Sequence, residues 1–237
     1  MSGTEACVLR DWDLRLDVDD VLRGQGSDPA VIRTRRPKLV EVAEWALAEG
    51  RPLLEPLVIY RRLPVEAFRH WRLHLAGGHL LSGELVARHL ASAQEVIALV
   101  CSVGQALEEH ASRVMATSVV RGLALDGLGS AAAEALATEA CQYFERQAAG
   151  QNLSVTIPLS PGMIGWPVDE GQAQIFALFE GDEIAVTLTD FGLMLPRKSL
   201  SMVLGLGPDV DRGGRTCDYC QMKDRCHYQE RHETISA

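Results

Sequence analysis

No stretch of about twenty apolar residues runs free of charge in this 237-residue chain, so no membrane-spanning helix is expected. Lysine and arginine number 23 against 32 aspartates and glutamates, a formal net charge of −9. Phosphate backbones are bound by clustered cations, so nucleic acid is not an expected partner. The basic cluster Arg33, Arg35, Arg36 and Lys38 is too small to reverse this and reads as a solvated helix face. Residues 1–20 are acidic and lack a long apolar run, so no signal peptide is expected. Without a secretory signal, the six cysteines read as thiols of a cytoplasmic protein rather than as a disulfide framework. Phosphate loop, nucleophile elbow and dinucleotide fingerprint are all missing. His70 and His74 are four residues apart, but no glutamate of a zinc-protease motif stands between them. No internal repeat or low-complexity segment is present.

The remaining composition, 47% hydrophobic and 23% charged, is that of a soluble globular chain, long enough for one sizeable core or two small ones. Leu14, Leu16 and Val18 alternate with charged residues, the period of a half-buried strand. Asp28-Pro29 is a helix start, a capping residue followed by proline at the first helical position, and Pro37 divides the helical pattern that continues to Gly50. Residues 57–60 and 71–75 read as strands, with Gly77-Gly78 as a turn and Ser82 as the cap of the next helix. Val96 to Val100 is an unbroken apolar run, expected to be a buried strand ending at Cys101. Helical periodicity fills 104–149, with an interruption expected near Gly127 and Gly129. Strand-like segments at 153–157 and 183–189 flank a short helical pattern at 170–179. Strands and helices do not alternate regularly, which predicts an α+β fold with a mainly antiparallel sheet flanked by helices.

Three stretches carry candidate chemistry. The loop 158–167 holds three prolines and two glycines, a backbone-shaped turn that nevertheless carries Met163, Ile164 and Trp166. Two readings stand side by side: a rigid wall for a ligand, or a turn whose tryptophan plugs the core. Asp126 lies among small residues that allow a backbone or a flat ligand to approach closely, and is equally well read as a helix-terminal acid. Glu134 reads as a solvated helix residue. Cys217, Cys220 and Cys226 cluster beyond Pro208, where composition turns polar. With His227 as the fourth ligand they suit tetrahedral zinc, and three thiolates also suit an iron–sulfur cluster. A redox dithiol pair and an unstructured tail are the alternatives. Cys101 and Cys141 read as buried core thiols, and Cys7 as an exposed one.

The order Ser160-Pro161-Gly162, Gly165-Trp166-Pro167, Gln172, Phe176, Pro196, Lys198-Ser199 and Gly205 resembles the reactivation, AdoMet-binding domain of cobalamin-dependent methionine synthase. The resemblance extends back through Leu125-Asp126-Gly127-Leu128-Gly129-Ser130 and, more weakly, to Arg23. Here the enzyme's loop arginine and tyrosine fall near Pro158 and Met163, and an acidic ligand contact near Ser130. The resemblance implies a methionine synthase activation-like domain over 1–207 with a cysteine-containing tail over 208–237. It implies an accessory role in reductive methylation of a corrinoid by AdoMet, with the corrinoid carried by a partner protein or methionine synthase itself, and an electron-donor protein as a further partner. The cofactor-binding residues it implies are Asp126, Gly162, Met163, Ile164, Gly165, Trp166, Pro167, Lys198 and Ser199, with no catalytic side chain. AdoMet offers a carboxylate to Lys198 and Ser199, and an amino group and sulfonium to Asp126. The rival is a non-catalytic, metal-containing binding or electron-delivery module built on the cysteines.

Overall fold

The structure, a computed structural model, describes residues 5–226. Its centre is β5 (Glu95–Ser102) and β9 (Ser199–Gly207), paired antiparallel over their length, Glu95 opposite Leu206 and Ser102 opposite Ser199. On its other edge β5 pairs with the first half of β2 (Leu57–Arg69), whose second half bends away through a bulge at Val65–Ala67 to pair with β3 (Arg72–Leu75). The short strands β1 (Cys7–Leu9), β4 (His79–Ser82) and β6 (Ser154–Val155) complete a seven-stranded sheet in which every pairing is antiparallel, and within the 183–189 segment β7 (Thr187–Leu188) pairs with β8 (Met194–Leu195) as a separate two-stranded ribbon. The α+β expectation holds.

Both faces of β5 are covered, which is why its sequence is a continuous apolar run rather than an alternation. Ile97, Leu99 and Cys101 enter one core cluster, and Val96, Ala98 and Val100 enter a second on the opposite face. The first cluster is roofed by α1 (Val18–Gly24), α3 (Pro37–Gly50), α5 (Ala106–Met115) and α6 (Val119–Ala149). The second is closed by α4 (Glu84–Leu90), α7 (Val168–Ala177) and the 158–167 loop. The helix α2 (Pro29–Arg35) begins where expected: Asp28 Oδ1 accepts from Ala30 N at 2.9 Å, and Pro37 restarts the chain as α3.

Three local expectations are corrected. Leu14 and Leu16 are buried, as the alternation implied, but residues 11–17 pair with no strand. The Arg51 guanidinium takes the place of a ladder, donating to the carbonyls of Leu14 and Leu16 at 3.4 and 2.7 Å, and Val18 already opens α1. Ser82 does not cap α4. It ends β4, where its N–H and hydroxyl are both held by the Gln174 amide at 2.9 Å, and Gly83 takes the position before the helix.

The third correction matters for the site. No break occurs at Gly127 or Gly129; α6 runs 31 residues. Glycine in a helix interior costs about 1 kcal/mol relative to alanine, and here close packing offsets it. A Cβ on Gly127 would stand 2.6 Å from Gln25 Cγ, and one on Gly24 would stand 2.0 Å from the Gly127 carbonyl oxygen. The two glycines let α1 cross α6 backbone against backbone, which fixes the end of α1 beside Ser130 and Glu134.

Candidate functional site

Where α1 ends over α6, a cavity of about 420 Å³ opens. One wall is Arg23, Gly24 and Gly26; the floor is Ser130, Ala133 and Glu134 of α6. The opposite wall is residues 197–200 at the head of β9, and the rim is Met222 and Cys226 of the C-terminal segment.

Lys198 is the best-fixed polar group there. Its stem crosses α6 at Gly129, where an added Cβ would meet Lys198 Cγ at 3.0 Å. Its ammonium sits 2.9 Å from Asp126 Oδ1 and donates to Ser130 Oγ at 2.9 Å. Ser130 in turn donates to the Asp126 carbonyl at 3.3 Å. Arg197 is tied back to Glu108 of α5 through its backbone N–H and its guanidinium, which raises its pKa and keeps it cationic. Ser199 is buried, its hydroxyl donating to the Pro196 carbonyl at 2.7 Å. Asp126, Lys198 and Ser199 therefore meet at one place, although only the latter two line the cavity.

The 158–167 loop lies elsewhere. Gly162 and Gly165 adopt φ of 95° and 85°, and Gly162 N donates to Trp166 O at 2.8 Å, closing a tight turn. That turn drives Met163 and Trp166 into the second core, where Trp166 is fully buried and its Nε1 has no hydrogen-bond partner. Of the two readings of this loop, the structure places the tryptophan in the core. Ile164 is left exposed, and Pro167 precedes α7. None of these six residues lines the cavity.

What the loop does hold is the cysteine segment. Ile164 N donates to Tyr219 O at 2.9 Å, and Met163 pairs with Cys220 as an isolated bridge. Cys217, Cys220 and Cys226 are each half-buried. Burial pushes the Cys217 thiol pKa up, and the neighbouring Cys226 and Cys220 thiols push it further. Among the described residues no group of three or more His, Cys, Asp or Glu side chains is set to hold a metal ion. His227 lies outside the described residues. Cys101 and Cys141 are core thiols, with burial pushing Cys141 up to about 12, and Cys7 is exposed.

The segment is also clamped by His89 of α4, whose ring meets Tyr219 edge-on with centroids 4.9 Å apart. His89 is buried, with neither ring nitrogen hydrogen-bonded and Asp211 Oδ2 3.5 Å from Nδ1. Burial lowers its pKa, with Asp211 opposing and Arg88 assisting. The unfolded chain takes up this proton first, near its ordinary pKa of about 6.5. His89 therefore subtracts stability as pH falls through 6.5 toward its lower folded value, and nothing above it. Melting temperature should drop more between about pH 7.5 and about pH 5.5 for the wild type than for His89→Gln. Equal drops would show that the ring is not held neutral.

Arg23 and Arg197 carry no motif and escape sequence reasoning, and Glu134, which reads as solvated in the sequence, forms the cavity floor with Ser130 and Ala133.

No protein-family profile and no curated protein matches the chain. Solved structures do. The crystal structure of the MetH reactivation domain bound to AdoHcy superposes over 95% of this chain and 85% of that one, with a TM-score of 0.63 at 13% identity. The fold is that of the MetH reactivation domain. The superposition covers nearly the whole chain, so the antiparallel sheet and its covering helices share one architecture with that domain. No helix among the described residues is long and apolar enough to cross a membrane.

Proposed function

We propose that this chain binds AdoMet and its demethylated product AdoHcy in the α1–α6 cavity, and serves as an accessory domain for reductive methylation of a corrinoid carried by a partner protein. The observation that carries the reading is the cavity's charge arrangement. Arg23, Arg197 and Lys198 place cations on its walls for a carboxylate, each also beside a carboxylate of its own (Asp20, Glu108 and Asp126), Glu134 places an anion on its floor for an ammonium or sulfonium, and Ala133, Leu200 and Met222 add apolar lining. A volume of about 420 Å³ lies within the range of about 300–1,000 Å³ usual for small-ligand sites. The bound state of the similar MetH domain supports the same ligand class.

AdoMet held there would supply the methyl group for a partner-bound corrinoid reduced by one electron. The residues of this chain position rather than react. Lys198 is held at a fixed point by Asp126 and Ser130, Ser199 braces the head of β9, and the Gly162–Pro167 turn anchors the C-terminal segment that rims the cavity. In this reading residues 1–207 form the activation-like domain and 208–237 an added tail. The protein works in the cytoplasm, with a corrinoid protein or methionine synthase as partner and an electron donor beside it. A second reading, a metal-containing electron-delivery module, is favoured by Cys226 standing on the cavity rim.

Calorimetric titration tests the proposal. AdoHcy and AdoMet should each give saturable heat at up to about 1 mM ligand. Ala133→Trp, which fills the cavity floor, should abolish it. No heat from folded wild-type protein would leave the architecture without this function.

A further inference from the structure

The β7–β8 ribbon turns apolar side chains to water beside the cavity wall. Strand β8 leads straight into residues 197–200, so the backbone of Leu195 lies within about 7 Å of that of Arg197, which lines the cavity. Side chains alternate along a strand. Met194 packs against the second core, which leaves Leu193 and Leu195 on the outer face, 60% and 46% exposed. Such alternation ordinarily puts polar residues outward; here both faces are apolar. The tip is ordered. Gly192 N donates to Thr189 O at 2.9 Å, Thr189 N to Leu193 O at 2.8 Å, and Leu193 N to Thr189 Oγ1 at 3.1 Å. Gly192 closes this turn at φ 74°, where glycine is favoured. Nothing in the turn calls for a phenylalanine, and Phe191, 92% exposed, supports nothing in the fold. Single exposed apolar residues are ordinary, but three within five residues mark a contact surface. A rigid ridge is already ordered before it binds, which lowers the entropy cost of association. Its border is acidic: Asp190 adjoins Phe191, and Glu180 and Glu183 are exposed in the segment leading into β7. Such a border repels an anionic lipid surface and suits a protein groove with a cationic rim.

We propose that Phe191, Leu193 and Leu195 form the docking surface for the protein that carries the methyl-accepting corrinoid, which receives them in an apolar groove with a cationic rim. The choice of partner rests on the AdoMet reading above; the ridge itself does not. A methyl donor held in the α1–α6 cavity serves only an acceptor brought to that cavity, and the ridge is rooted on its wall. A second copy of this chain seated there would occupy the approach the acceptor needs.

Surface plasmon resonance of the full chain against the cobalamin-loaded methionine synthase of the same organism tests the docking face, with AdoHcy calorimetry in parallel. Phe191→Ser combined with Leu193→Ser should raise the Kd for the synthase at least about 30-fold, the effect of losing an interface hot spot, and leave AdoHcy affinity and melting temperature unchanged. Trp71→Ser removes another exposed ring, in the β2–β3 turn at the end of the sheet away from Ser199, and should change none of the three. Asp190→Lys should slow association with the synthase, more at low salt than at high. A wild-type chain that does not bind the synthase, or a double variant that binds it as the wild type does, overturns the docking face, while AdoHcy heat in the same samples leaves the ligand reading standing. Loss of synthase binding on substitution, in a chain that takes up no AdoHcy, upholds the docking face and overturns the proposed ligand. A wild-type dimer in sedimentation, or binding to phosphatidylserine vesicles, that the double variant loses while its synthase affinity is unmoved would assign the ridge to a second copy or to a membrane and overturn the proposal.

Discussion

Replacing Trp166 by alanine should lower stability by about 3–5 kcal/mol, the range for removing a buried tryptophan from a core. Trp166 heads the fully buried side chains by size, and its ring is enclosed on two sides by glycines. An added Cβ at Gly83 would be 3.0 Å from Trp166 Cδ1, and one at Gly171 would be 3.0 Å from Cε2. Glycine on both sides means that backbone forms the walls, and backbone relaxes little into a void. A single domain has about 5–15 kcal/mol in all, so the variant keeps only part of its margin. At this chain length the melting temperature should fall by roughly 6–20 °C. Ile164→Ala, two residues away and exposed, should stay within about 0.5 kcal/mol of wild type. Thermal denaturation followed by circular dichroism reads both. Comparable losses in the two variants would contradict the placement of the loop, and a stable Trp166→Ala protein with impaired AdoHcy binding would restore the tryptophan to the ligand site.

That placement marks the limit of local reasoning. The run Val96 to Val100 announces a strand covered on both faces, and the Asp28-Pro29 and Pro37 signals locate two helix starts, because each depends on neighbours in sequence. The β2–β5–β9 order depends on pairings between segments far apart in sequence, such as Leu57 with Ser102 and Glu95 with Leu206, and only the mixed order of elements hints at it. Trp166 was balanced between core and ligand wall because a Pro/Gly turn fixes a backbone path without fixing which side faces in. Gly127 and Gly129 read as breaks for a related reason: their role is the approach of α1 and of the Lys198 stem, both distant in sequence. The cysteine spacing was legible, but its seat was not. Nothing near Cys220 in sequence points to Met163, and nothing near Cys226 points to Arg23 or Lys198, yet these juxtapositions place the segment 217–226 against the loop and the cavity.

Lys198→Met should weaken AdoHcy binding about 10- to 150-fold with little change in stability. Methionine keeps the unbranched stem that crosses Gly129 and removes only the ammonium, so packing is preserved while the charge is lost. A hydrogen bond to a charged group is worth about 1.5–3 kcal/mol, and every 1.4 kcal/mol is a factor of ten in affinity. The folded state loses less. Asp126 is 41% exposed, so its ion pair with Lys198 is screened by water and contributes at most about 1 kcal/mol. Binding and stability therefore separate, which a merely structural lysine would not show. Lys198→Arg should retain more affinity than Lys198→Met, since it restores a cation at the head of β9. Asp126→Asn should leave the ammonium in the cavity and cost less than either. Calorimetry at two salt concentrations completes the test, because the wild-type affinity should fall with added salt more steeply than that of Lys198→Met. If Lys198→Met binds AdoHcy as the wild type does, the ligand carboxylate is not held at this wall, and the orientation proposed for it is wrong.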